Sequence, residues 1–336
     1  FVEGARPDIE TAYPGYPMNY KAGWGYMLLT HFLPAGGNGT FTLQAAALDA
    51  DGHQVTLGSH TIIADNAHAV KPFGAIDTPV QGGTTYGTKF TNWAWVLTPQ
   101  PNQIPTNGST LNVWIDGMNI GHPTYNVTRQ DIAAFFPGYA NSSGAGGYLN
   151  LDTTKYANGI HIIFWTAADD AGNADGIGSR YFTIQNAGND LSRRGDPPWS
   201  PVFDSMASSS TPYNPIRVKK GFNRDSEPVS IYPDDKGFTY IRLKELERVE
   251  IHFPGMSTVK PLGLQIAPGR FRPLPVGSSL DREKGIFYWQ PGPGFVGHYR
   301  LVFVTKDQAG RWSKRNILLD IAPAGQDNVY RAPAAK

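Results

Sequence analysis

Short stretches in which polar and apolar residues alternate recur along this chain, separated by turns rich in Gly, Pro and Asp. Residues 92–97 (NWAWVL) and 109–115 (STLNVWI) alternate with a period of two, and the second stretch puts Leu111, Val113 and Ile115 on one face before Asp116-Gly117. That period predicts strands with one buried side, and the Asp-Gly pair predicts a tight hairpin. Residues 159–167 (GIHIIFWTA) form a longer strand candidate, which leads through Asp169 to Asn173 into 179–184 (SRYFTI). The same design occurs earlier, where 40–45 (TFTLQA) turns at 49–52 into 60–64 (HTIIA), with Phe41, Leu43 and Ala45 on one face. Residues 238–243, 248–253, 285–289, 297–305 and 317–321 continue the alternation. The exception is 129–136 (RQDIAAFF), which predicts a short helical turn stopped near Pro137-Gly138. The expected fold class is all-β.

The strand pattern is duplicated. Residues 5–16 (ARPDIETAYPGY) match 128–139 (TRQDIAAFFPGY), and Asn38-Gly39, Asp49, Gly52 and Gly58 match Asn158-Gly159, Asp169, Gly172 and Gly178 in the same order. Ordered landmarks with small loop changes mark a repeated unit. The frame predicts a complete module at 71–187 and, at 1–67, only the C-terminal half of one. The segment matching roughly 71–127 is missing ahead of Phe1, which is not an initiator Met, so a front half that lies upstream in the gene, is cleaved but retained, or is replaced by strands from another chain is expected. A half sandwich exposes an apolar face and unpaired edges. Residues 188–215, with Asp-Pro-Pro and Ser-Ser-Ser-Thr-Pro, read as a linker, and 216–322 as a C-terminal β-sandwich region, with a small β subdomain at 216–265 as one option. Residues 323–336 read as a tail.

Composition supports compact domains. The 336 residues include 38 Gly and 27 Pro, which favour turns over long helices, and 12% aromatics, enough to build cores. The net charge of +1 hides an uneven split, with residues 1–187 net acidic and 188–336 net basic. A dispersed basic surface without a tract or motif gives no case for nucleic acid. The chain has no Cys, which excludes disulfides and thiolate chemistry. No stretch has the length of a membrane-spanning helix, so membrane insertion is not expected. Asn-x-Ser/Thr triplets stand at Asn38, Asn107, Asn126 and Asn141, and Arg194-Gly195-Asp196 lies in the linker.

The stretch from 129 to 186 (RQDIAAFFPGYANSSGAGGYLNLDTT to FTIQN) resembles the immunoglobulin-like modules found in tandem in large bacterial secreted and surface proteins. Residues 274–310 (LPVGSSLDREKGIFYWQPGPGFVGHYRLVFVTKDQAG) are similar to cadherin-like Ig modules of bacterial exoproteins. The resemblance implies tandem immunoglobulin-like β-sandwich domains joined by a Pro/Gly/Ser-rich linker. It also implies an extracellular or cell-surface location, a stalk or adhesion role, and no catalytic residues; analogy of fold names no ligand.

Candidate chemistry is sparse. The turn around Asp169, Asn173 and Asp175 offers hard oxygen ligands at a spacing suited to calcium, although Asp and Gly at such positions are already explained by turn geometry. The eight His form no paired metal motif, and neither a nucleophile elbow nor a phosphate loop occurs. Trp93, Trp95 and Trp289 are the candidates for stacking on sugar rings if they face solvent, and for core packing if they do not. The functional expectation is a non-catalytic structural or adhesive component of a filament or stalk, with other protein subunits or copies of itself as partners. The alternative is a carbohydrate-binding accessory region that meets surface glycans through exposed aromatics.

Overall fold

The computed structural model describes residues 2–187, 209–223, 225–254, 261–267, 270–306 and 311–324. The Arg194-Gly195-Asp196 tripeptide, most of the 188–215 stretch, residues 307–310 and the residues beyond 324 lie outside the described residues.

The chain opens with a short helix α1 (Pro7–Ala12), followed by a long hairpin, β1 (Asn38–Leu48) and β2 (Gln54–Asp65). The middle module follows, with β3 (Phe73–Ile76), β4 (Gly83–Thr85), β5 (Phe90–Leu97), β6 (Leu111–Ile115), β7 (Met118–Gly121) and β8 (Thr124–Val127). It is completed by α2 (Gln130–Phe135), β9 (Gly146–Leu151), β10 (Gly159–Ala168) and β11 (Ala174–Ile184). Its strands form two sheets, ordered β4-β11-β10-β6-β7 and β3-β5-β9-β8. Each strand buries its apolar face between the sheets, where Ala94, Val96, Leu111, Val113, Ile163, Trp165 and Phe182 meet. Asn92 lies in this core and accepts the Trp165 indole N–H at 2.7 Å, so both buried polar groups are satisfied.

The C-terminal region contains β12 (Ile216–Lys220), β13 (Val229–Ile231), β14 (Phe238–Lys244), β15 (Val249–His252) and β16 (Leu262–Ala267). It continues with β17 (Arg270–Arg272), β18 (Ser278–Asp281), β19 (Ile286–Trp289), β20 (Gly297–Lys306) and β21 (Trp312–Ala322). Its sheets run β13-β12-β15-β19-β18 and β14-β21-β20-β16-β17. Early strands therefore interleave with late ones, β15 against β19 and β14 parallel to β21, so that both sheets draw strands from the two ends of the region. Just before it, Arg315 on β21 donates to the carbonyl of Pro212 at 2.8 Å, tying the approach to β12 along the sheet.

The β10 run from 161 to 167 is buried at every position, whereas a half-buried strand would alternate. Ile163, Trp165 and Ala167 face the middle module's own core. Ile162 and Phe164, with Trp114 and Tyr181, share a second core with Val249, Phe287, Trp289 and Phe295 of the C-terminal sandwich. The continuous apolar run is thus a strand covered on both faces.

Candidate interaction surface

The three Trp singled out in the sequence do not form a platform. Trp289 is wholly buried among Phe295 and Tyr299, and Trp95 packs under α2 against Phe136 and Phe73. Only Trp93 keeps partial exposure, tilted against Tyr148 at 4.9 Å. Alternation fixes which side chains share a face. It does not say that the Trp289 face closes a sandwich core and that the Trp95 face is covered by a helix, and those two coverings correct the stacking assignment for both residues.

The Asp169 turn is likewise built for its backbone. One Asp169 oxygen accepts from the amides of Ala171 and Asn173, the other from the Thr98 hydroxyl and the Asn102 side chain, and the Asn173 side chain donates as well. Burial pushes this carboxyl up, but the bonds from Asn173, Thr98 and Asn102 outweigh it and hold it below the ordinary value. Asp175 points instead to Lys71 at 3.4 Å and to its neighbour's amide. Asp169 and Asn173 thus bond to each other and to the turn, while Asp175 turns toward Lys71. The matching turn in the first copy holds Asp49, Asp51 and His53 with one ligand atom each within 4.8 Å, all exposed, a small cluster able to meet a divalent ion. Asp49 there accepts from the amides of Asp51 and His53, the same bonds that close the Asp169 turn.

The junction between the modules is where polar and apolar contacts concentrate. Asp116-Gly117, the turn between β6 and β7, seats on the C-terminal sandwich: Asp116 O accepts the Ser279 hydroxyl at 2.9 Å, and Gly117 O accepts Arg248 Nε at 2.8 Å. The Arg248 guanidinium lies 4.7 Å from the Trp114 ring and pairs with Glu250. Gly117 has φ +77° and approaches the Tyr288–Trp289 backbone so closely that a Cβ would meet Trp289 N at 3.1 Å, so the turn needs glycine. On the middle-module side Asp116 is held by His161, whose Nδ1 is 2.6 Å from the carboxylate while Nε2 is 2.8 Å from Ala157 O. A cleft of about 440 Å³ opens beside this contact, lined among others by His161, Tyr156, Ser279 and Arg282.

Residues 2–32 pack into the crevice between the two sandwiches. Val2 and Ala5 join the C-terminal core, and Ala5 O accepts the Tyr299 hydroxyl at 2.6 Å, a phenol that burial pushes well above its usual range. Glu10 on α1 is buried and receives both Nη groups of Arg272. His31 stacks on Phe73 at 3.8 Å, and burial lowers its pKa, favouring the neutral ring. Beyond residue 37 the environment changes. β1 and β2 pair with each other and with no other strand among the described residues, and Leu43, Leu57 and Ile63 stand exposed.

No family model matches the chain, and no curated protein matches it. Among solved structures, it is similar to the fibronectin(III)-like modules of Clostridium thermocellum CbhA, at 12% identity over 76% of this chain and 97% of that one, with a TM-score of 0.21. It is also similar to Bacteroides ovatus SGBP-B in complex with a mixed-linkage heptasaccharide (10% identity, 85% of this chain and 53% of that one, TM-score 0.20). A Ca2+-stabilized adhesin of an Antarctic bacterium gives 11% identity over 84% of this chain and 57% of its own, with a TM-score of 0.21. The chain thus spans little more than half of the last two. The β-sandwich architecture rests on the strand pairings themselves.

Proposed function

We propose that this chain is a non-catalytic structural or adhesive component of an extracellular or cell-surface assembly, acting as a stiff segment of a filament or stalk. The observation that carries the reading is the shared core at the junction. Trp114, Ile162, Phe164 and Tyr181 on one sandwich pack with Phe287, Trp289 and Phe295 on the other. Domains joined by small polar contacts move relative to each other, and a large apolar interface opposes that motion. Arg248, Asp116 and Gly117 then fix the rotational setting with directional bonds. Of the Trp residues considered for glycan stacking, two are core side chains, which favours protein surfaces over sugars as partners. Immunogold labelling of the producing cells with antibodies against residues 71–187 is the direct test. Decoration of surface arrays, stalks or extracellular filaments is expected, and label confined to the cell interior would sink the reading.

A further inference from the structure

The two copies of the repeat adopt the same local structure, so the second copy shows what belongs on the first. α1 and α2 both end near Pro-Gly, and Met18 and Asn141, 123 residues apart, both take φ near +55° ahead of a short 3-10 turn. In the hairpins the spacing becomes 120: Gly39 and Gly159 share φ near +140°, and the bulge at Ala45/Ala46 matches the one at Trp165/Thr166. At the base, Thr30 donates to Asn66 at 2.9 Å as Thr153 donates to Asn186 at 3.0 Å.

In the middle module three seats on this frame are filled from within residues 71–123. β6 pairs with β10 over Ile163–Ala167, β4 lies parallel to β11 over Phe182–Ile184, and β5 pairs with β9. The equivalent seats of the first copy are residues 43–47 of β1, residues 62–64 of β2 and the extended residues 23–28, and none has a strand partner there among the described residues. Side chains follow the backbone. Ile163 is fully buried while its counterpart Leu43 is 39% exposed, Ile177 is 4% exposed against 56% for Leu57, and Leu151 is 4% exposed against 39% for Leu28.

We propose that the open face of residues 23–65 is the seat of a strand-bearing segment built like residues 71–123, which completes the first copy as a second closed sandwich. Three edges and one apolar face are satisfied by this single occupant, whereas a second copy pairing edge to edge covers one edge and leaves the face open. The inference stands on the duplication and the open seats, and it holds or fails independently of the assembly role.

The test is hydrogen exchange on two chains: residues 1–336, and the same chain with an added copy of residues 71–123 fused ahead of residue 1. Fusion is expected to slow exchange of the 43–47 amides at least about 100-fold, toward that of Ile163–Ala167, which serve as the internal reference for a folded middle module. Leu43→Asp is expected to leave the unfused chain unchanged and to abolish the protection in the fused one, because only there does the charge enter a core. Unprotected 43–47 amides in the fused chain, with the reference amides intact, would overturn the proposal. So would protection in the unfused chain that rises with protein concentration, since the occupant is then a second copy.

Discussion

Residues 38–65 and 158–187 trace nearly the same hairpin, yet one is a free-standing ribbon and the other the centre of a folded core. The difference lies in what surrounds them. β10 is flanked by β6 and β11 and sandwiched between two cores, while among the described residues β1 pairs with β2 alone. Turn chemistry and local hydrogen bonding are conserved between them, so those features set the shape of the ribbon without setting its stability. An isolated two-stranded hairpin is marginal in water. The stability of this architecture resides in tertiary burial.

The sharpest way to break the comparison is a pair of substitutions at matched depth. Trp165→Ala removes a fully buried ring and strands Asn92, and is expected to cost about 3–5 kcal/mol of middle-module stability. Leu43→Ala, on the equivalent face of β1, is expected to shift stability by less than about 0.5 kcal/mol. Urea denaturation followed by tryptophan fluorescence compares the two, and similar losses would show that the β1 face is buried after all.

Glu10→Ala probes the opposite property, the firm anchoring of the first copy's leading residues. The equivalent position in the second copy is Ala133, so the buried pair with Arg272 belongs to the first copy alone. Removing one partner of such a pair leaves an uncompensated buried charge, at about 3–5 kcal/mol. The expected result is a lower melting temperature for the C-terminal sandwich and increased proteolysis within residues 2–32. Glu10→Gln, which retains a hydrogen-bond acceptor, is expected to lose less.

These contrasts also show what the sequence made legible. The strands follow from period-two alternation and the repeat from landmarks kept in order, because both are local properties of the chain. The anchoring did not follow, since Glu10 sits in an ordinary helical turn and its partner is 262 residues away. The Trp289 and Trp95 faces were ambiguous for a related reason: alternation marks a face as apolar, and only the fold says whether a sheet, a helix or solvent covers it. A better clue lay in residues 160–165, where Ile-His-Ile-Ile-Phe-Trp fails to alternate, the mark of a strand covered on both sides. The Asp116-Gly117 turn reads correctly as a hairpin. Its role as the contact point for Arg248 depends on a neighbour whose placement no local pattern encodes.

Asn186 and Asn66 give a finer comparison at the base of the two hairpins. Asn186 Oδ1 accepts from Thr153 and from the Gly87 amide, which belongs to the front half, and its side-chain amide donates to Thr153 O. Asn66 keeps the Thr30 bond and donates to Gly36 O, with no front-half partner among the described residues. Asn186→Ala is therefore expected to cost about 1–3 kcal/mol, the range for leaving buried partners unsatisfied. Asn66→Ala is expected to cost visibly less in the same denaturation assay.

The smallest expected effect separates the copies by pH. Arg6 clasps Asp8 as Arg129 clasps Asp131, but Arg129 also reaches Asp77 of the front half. The hydrogen bond from Arg129, aided by its charge, holds the Asp131 carboxyl down at about 2. A depressed folded pKa contributes stability above the unfolded value of about 3.9, and this is lost as pH falls from about 4 toward about 2. Because Asp131 is largely solvent-exposed, screening limits the contribution to under about 1 kcal/mol. Asp131→Asn is expected to flatten the middle module's stability profile between about pH 4 and 2 while leaving exchange in residues 38–65 unchanged. An unaltered acid slope would mean that the Arg129–Asp131 clasp contributes nothing measurable to the stability of the middle module.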